Sequence, residues 1–311
     1  MKNRSFAAWA AEKTLKLINT GCFDSVEKAQ KYMKRRSRVE DKPYRLPFRS
    51  YRSNVELTEF QGNQVIRFSP KNESVKTVFY LHGGAYVQQI SLFHIRYCDI
   101  LCSEANVIIV IPLYRLAPNH TWKEAFDFIL NLYNAEHPAV IMGDSAGGGL
   151  AAGFVQYLSE TSSALPDKVC LLSPWADASM SADYSNYEKK DPMLGVDGLR
   201  EMGRTWAGNL DAKDPKISPL YGNFEHFPQT QLFTGTREIF YPDVTAFYRK
   251  LVQAGRKSEL VVGNGLNHVY PLYPIPEAKA ALKSVLDFIS DKSKRILPSD
   301  SLNSVSFNLK G

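Results

Sequence analysis

The sequence predicts an α/β fold: a mostly parallel, eight-stranded sheet with helices on both faces. Two observations lead there. From residue 53 onward, short runs rich in β-branched and aromatic residues alternate with stretches of helical periodicity, the order that builds βαβ units. The runs Val107–Leu113, Ala139–Met142 and Val169–Leu172 are almost unbroken in apolar character, as strands buried on both faces must be. The size agrees. With 311 residues, 44% hydrophobic and 23% charged, the chain is long enough for one large core and too apolar for wholesale disorder.

The elements follow in order. Phe6 opens an amphipathic helix with Phe6, Trp9 and Leu17 on or near one face and a stop at Gly21; a second helix runs from Asp24-Ser25 to Arg36. Val55–Phe60 and Gln64–Phe68 read as a hairpin turning at Gly62-Asn63. The remaining strands are expected at Val75–Leu81, Val107–Leu113, Ala139–Met142, Val169–Leu172, Gln231–Phe233 and Glu259–Val262. Helices are expected at about 93–105, 122–135, 146–160, 243–255 and 277–291. Residues 177–220 break the alternation and read as an insertion with its own helix at about 197–209. The polar stretch Pro298–Gly311 reads as a loosely held tail. The domain expectation is therefore a segment 1–52, a catalytic body 53–292 interrupted by the insertion, and a tail 293–311.

Charge is unevenly spread. The formal net charge is +6, but residues 1–52 hold 14 basic and five acidic side chains, a surplus of nine, which leaves the rest at −3. The run Lys34-Arg35-Arg36-Ser37-Arg38 reads as a solvated helix end, where cations suit the dipole, and five cations are few for a nucleic-acid groove. No nucleic-acid partner is expected. Four cysteines in a chain of this length do not make a disulfide scaffold and point to a reducing, cytoplasmic setting. Glu12 and Lys13 interrupt the early apolar run before it reaches signal-peptide length, and no run of about 18 apolar residues promises membrane insertion.

The chemistry gathers in three places. Gly143-Asp144-Ser145-Ala146-Gly147 matches Gly-x-Ser-x-Gly between a predicted strand and a predicted helix, the context of a nucleophile elbow. There the Ser145 Oγ would stand above the sheet at a helix N-terminus. His82-Gly83-Gly84-Ala85-Tyr86 directly follows a strand, so the N–H groups of Gly83 and Gly84, with that of Ala146, are candidate oxyanion donors, and His82 reads as a structural support of the loop. Past the last strand lies His268, the candidate base; His94, His120 and His137 precede the serine and read as surface or packing residues. The acid belongs after Gln231–Phe233, where Glu238 is favoured and Asp243 is the alternative, though helix capping explains Asp243 as well. His94, Cys98 and Cys102 share a helical face but lack a fourth ligand, so they read as packing and no metal or other cofactor is expected.

These motifs resemble the α/β-hydrolase fold and, within it, the hormone-sensitive-lipase-like esterases. The elbow Gly143 to Gly148 matches the family's Gly-Asp-Ser-Ala-Gly-Gly in full, and Tyr114-Arg115-Leu116-Ala117-Pro118 matches a second motif. His82-Gly83-Gly84-Ala85 departs from His-Gly-Gly-Gly at its last position, and Glu238 stands where the family carries an aspartate, thirty residues before His268. The resemblance covers about residues 60–292. It implies a serine carboxylesterase acting on small, short-acyl esters, with the catalytic triad Ser145, Glu238 and His268. It also implies a cap built from residues 1–50 and 177–220, with Tyr86, Trp9, Trp175, Asp191, Pro192, Met193, Leu194 and Trp206 as contributors to the pocket, and a homodimer through the last strand and helix. Acetyl-sugar or xylan deacetylation, amide or peptide hydrolysis, and a binding protein on an inactive site are the alternatives.

Overall fold

The computed structural model describes residues 4–39, 42–74, 76–290 and the backbone of 302–304. The N-terminal segment forms α1 (Phe6–Ile18), capped by the Ser5 hydroxyl, and α2 (Val26–Arg36), capped by that of Ser25. A hairpin follows, β1 (Asn54–Phe60) and β2 (Asn63–Ser69), then β3 (Thr77–Leu81), α3 (Leu92–Ala105), β4 (Ile108–Pro112), α4 (Trp122–Glu136) and β5 (Val140–Asp144). The chain continues through α5 (Ser145–Glu160), β6 (Lys168–Leu172), α6 (Ser185–Glu188), α7 (Val196–Ala207) and β7 (Gln229–Gly235). It ends with α8 (Tyr241–Gln253), β8 (Ser258–Gly263), α9 (Pro276–Ile289) and the short β9 (Leu302–Ser304).

The sheet order is β1-β2-β4-β3-β5-β6-β7-β8-β9. Strands β3 to β8 run parallel, and the hairpin and β9 are antiparallel additions at the two edges. The eight expected strands are all present. The ninth pairs with Val261–Gly263 inside the segment expected to be a loose tail; the rest of 298–311 lies outside the described residues, as does Val75. Strand alternation divides the core into two layers. Phe79, Leu81, Val110 and Ile141 face α4, α5 and α8, whereas Val78, Tyr80, Ile109 and Met142 face α3 and α9.

Two local expectations need correction. The hairpin turns at Gln61-Gly62, with φ of 49° and 75°, and Phe60 pairs with Asn63. A two-residue loop with both residues left-handed matches the strand twist, and that takes the glycine as second loop residue. In α1, Phe6, Trp9 and Leu17 are 78%, 43% and 86% exposed, and the buried face carries Ala8 and Glu12 instead. Glu12 is buried because Arg4 and Arg237 both bond its carboxylate, Arg237 through two N–H groups at 2.8 and 3.0 Å. Burial would raise its pKa, but the two guanidinium groups hold it below the ordinary range. Ser5 bonds Glu277 through its N–H and hydroxyl, so α1 lies clamped against α9 and the loop after β7. The second helix, α2, lies against α7, burying Ala29 and Met33. Among the described residues no helix is long and apolar enough to cross a membrane.

Candidate active site

The C-terminal ends of the parallel strands bring the predicted residues together, as the topology of such sheets requires. Ser145 begins α5 immediately after β5, with φ of 51°. That left-handed backbone is the strained turn that lifts the side chain off the sheet. It is possible because Gly147 has no side chain: a Cβ there would stand 2.1 Å from the Leu81 carbonyl oxygen, so only glycine lets α5 close onto the end of β3.

His268 follows β8, and its Nε2 lies 2.9 Å from the Ser145 Oγ. Its Nδ1 lies 2.7 Å from Oε2 of Glu238, which is fully buried. The other carboxylate oxygen of Glu238 accepts from the Gly235 N–H (3.0 Å) and from the Thr234 hydroxyl. Burial of His268 disfavours its charged form, but the hydrogen bond and charge of Glu238 outweigh that and raise its pKa above the ordinary value. Asp243, the alternative acid, points elsewhere: its carboxylate accepts from the Tyr184 hydroxyl at 2.7 Å, and burial pushes its pKa up to about 7.

The oxyanion loop differs from expectation. The Gly83 N–H donates to Asp144 Oδ1 at 2.9 Å, which removes it from the donor set. Gly84 and Ala85 line the cavity above Ser145, and among the described residues their N–H groups bond no protein acceptor. Ala146 sits in the first turn of α5, where N–H groups lack intrahelical partners. The candidate donors are thus Gly84, Ala85 and Ala146.

The reason is a buried network that sequence reading missed. Asp144 ends β5 beside the end of β3, and its buried carboxylate needs donors. It takes them from Gly83, the Tyr80 hydroxyl (2.9 Å) and His94 Nε2 (3.1 Å). Burial opposes its charge, but His94 and these hydrogen bonds hold its pKa below the usual range. His94 is therefore not at the surface: it packs edge-on against Tyr80 and His82 and also bonds Asp144. Its Nδ1 accepts the Ser91 N–H, which leaves Nε2 to donate to Asp144. Cys98 and Cys102 on the same helix are buried thiols. His82 is fully buried, its Nδ1 2.8 Å from the Gly83 carbonyl oxygen, its ring stacked on Tyr114 and its pKa pushed down to about 4 by burial.

Ala85, where the motif of the family that this chain resembles has a third glycine, has φ of 52°. An alanine in this conformation costs about 1 kcal/mol. Ala85→Gly is expected to raise Tm by about 1–3 °C in thermal unfolding; a lower Tm would mean that packing of the Cβ outweighs the backbone strain.

The cavity over Ser145 measures about 200 Å³, and Phe23, Met193, Leu194, Leu199, Leu272 and Tyr273 contribute its apolar walls. Met193 and Leu194 are where the pocket was expected. Tyr86, Trp175 and Trp206 are not among its lining residues. Their rings are buried in the core, Tyr86 stacked on Trp206 at 4.4 Å and on Trp175 at 5.5 Å. Large flat rings gain more from stacking in the interior than from lining a small cavity. Trp9 stacks on Phe6 at the surface and is also not among the lining residues. Asp191 ties the insertion to the acid loop: its carboxylate accepts the Met193 and Leu194 N–H groups and, through the other oxygen, the Ile239 N–H next to Glu238. Burial raises its pKa.

Comparison with known proteins agrees with this geometry. Residues 78–272 match the family described as the alpha/beta hydrolase fold. An esterase from Acinetobacter venetianus is 26% identical over 245 residues, 75% of this chain and 80% of that protein. An acetyl-hydrolase from Streptomyces hygroscopicus is 25% identical over 224 residues, 69% of this chain and 75% of its own. Among solved structures, a hormone-sensitive lipase from a metagenome library superposes with a TM-score of 0.78 at 25% identity, covering 94% of this chain and 99% of its own. A hormone-sensitive-lipase homologue, also from a metagenome library, gives 0.77 at 26% identity over 93% and 99%. Strand order, elbow and relatives converge: the chain belongs to the alpha/beta hydrolase fold family, among its hormone-sensitive-lipase-like carboxylic ester hydrolases.

Proposed function

We propose that this ester hydrolase works as a serine carboxylesterase on esters of short acyl chains. The observation that carries the reading is the hydrogen-bonded line from Glu238 through His268 to Ser145, standing at a small apolar cavity. His268 Nε2 takes the Ser145 proton as Oγ attacks the ester carbonyl carbon. The charge that develops on the carbonyl oxygen meets the N–H groups of Gly84, Ala85 and Ala146, each worth about 3 kcal/mol of barrier. As the C–O bond breaks, His268 returns the proton to the departing alcohol, leaving the acyl group on Ser145. Water then attacks with His268 again as base, and the acid leaves. Glu238 accepts the Nδ1–H throughout, fixing the tautomer and stabilising the imidazolium.

In this reading α2 and residues 177–220 serve as the cap, since Phe23 precedes α2 and Met193, Leu194 and Leu199 belong to the insertion. The cavity volume favours small acyl groups: about 200 Å³ falls below the roughly 300–1,000 Å³ of sites for drug-sized ligands. A homodimer through the last strand would have to displace β9, which occupies the β8 edge over Val261–Gly263.

A series of p-nitrophenyl esters tests the acyl preference. We expect kcat/KM to peak between acetyl and butyryl and to fall by at least about tenfold at octanoyl, the factor that 1.4 kcal/mol of lost transition-state binding brings. A maximum at octanoyl or longer would overturn the short-acyl assignment.

A further inference from the structure

A second cavity, of about 480 Å³, lies along α2 outside the catalytic pocket. Its lining includes Lys28, Lys31, Lys34, Arg35 and Arg38, together with Tyr32 and the buried Cys22. Lys28 is paired with Asp24 at 2.7 Å. Lys31, Lys34, Arg35 and Arg38 have no carboxylate partner among the described residues.

The helix dipole accounts for part of this. Cations in the last turn suit the negative end, which covers Lys34, Arg35 and Arg36. It does not account for Lys28 in the first turn or Lys31 at the middle of the helix. Lys31 and Arg35 stand four residues apart on α2, so like charges are neighbours where opposite charges would support the helix. The hydrophobic need of α2 is met on its other side by Ala29 and Met33, against α7. The cationic face is therefore neither core nor an ion-pair network. It lines a concavity that Tyr32 also lines, with Arg35 stacked over the Tyr32 ring at 5.3 Å. Guanidinium and ammonium groups lining one hollow suit a multiply charged anion, and phosphate oxygens match the guanidinium fork.

We propose that this face of α2 binds a small, free, phosphate-bearing anion. The inference goes beyond the esterase reading and does not rest on it. The site is nevertheless next to the catalytic cavity: Cys22 lines the cationic hollow, and its neighbour Phe23 lines the cavity over Ser145. Arg36 also reaches the Val87 carbonyl at 3.3 Å, tying α2 to the loop that carries Gly84 and Ala85.

The test is calorimetric titration of the full chain with inorganic pyrophosphate at low salt. The comparison is with the double variant Lys31→Ala, Arg35→Ala, whose alanines suit the helix. The proposal expects saturable binding to the wild type, weakened about tenfold in the variant and by added salt, with p-nitrophenyl acetate hydrolysis unchanged in the variant. Should the double variant lose its fold, Lys31→Glu supplies the same comparison. Equal affinity in both proteins, or no binding to the wild type, would overturn the proposal. So would cosedimentation with phosphatidylglycerol vesicles without pyrophosphate binding, since the face would then read a membrane surface.

Discussion

Ser145→Ala is expected to lower kcat for p-nitrophenyl acetate by about five to six orders of magnitude while leaving Tm nearly unchanged. The size follows from what the hydroxyl does in the proposed reaction. It is the atom that bonds the acyl group, and it stands 2.9 Å from His268 Nε2 at the cavity. What remains should be the acceleration from oxyanion donors and binding alone, about 10³ to 10⁴ over water. The fold should tolerate the change. Alanine keeps the backbone, and the strain at φ 51° is already present with serine. Retention of more than about a tenth of wild-type turnover would remove Ser145 as nucleophile and with it the serine mechanism.

Glu238→Gln carries the second largest expected effect, a loss of about 10⁴ in kcat. The local hydrogen bonds explain why an isosteric change should be so damaging. One oxygen of Glu238 is surrounded by two donors, the Gly235 N–H and the Thr234 hydroxyl. In glutamine the amide oxygen must serve these donors, which turns the NH₂ group toward His268. A donor facing Nδ1 forces the proton onto Nε2, and that nitrogen can then no longer accept from Ser145. Asp243→Asn, in contrast, should change kcat only a few-fold, because Asp243 bonds Tyr184 rather than His268. The reverse ranking would assign the acid to Asp243.

A pH profile separates this role from a merely structural one. His268 must be neutral to act as base, and Glu238 raises its pKa above 6.5. Wild-type kcat/KM should therefore rise with pH through a midpoint above 6.5 and be lost below it. In Glu238→Gln the charge that raises the pKa is gone while burial, which lowers it, remains. The residual activity should have its midpoint at lower pH. An unmoved midpoint would mean that Glu238 supports the loop without acting on the imidazole.

The N-terminal segment gains a different meaning from the one its composition suggested. Three of its cations, Arg4, Arg36 and Arg52, are engaged with the body: Arg4 with the Gly265 carbonyl, Arg36 with the Val87 carbonyl and Arg52 with the Glu104 carboxylate. Through Glu12 and Arg237, α1 holds the residue next to the proposed acid, and through Arg4 it holds the loop leading to His268. Part of the positive surplus thus serves a clamp on the loops that carry Glu238 and His268, and part lines a hollow along α2.

The sequence alone determined whatever is written in local patterns. Apolar runs at 107–113, 139–142 and 169–172 marked the parallel core, because a strand buried on both faces has no polar positions. The elbow was legible because its strain demands small neighbours at fixed offsets, as at Gly147. Thirty residues separate Glu238 from His268 because each follows one of two adjacent strands, β7 and β8. Tertiary structure alone decided which polar groups meet across the chain. Asp144 takes the Gly83 N–H and the His94 ring across 61 and 50 residues, and Glu12 meets Arg237 across 225. No periodicity encodes such pairs. A buried carboxylate is stable only where donors converge on it, and for Asp144 and Glu12 that convergence exists only after the sheet and helices have packed. The same packing drew Tyr86, Trp175 and Trp206 into the core and left Phe6, Trp9 and Leu17 exposed.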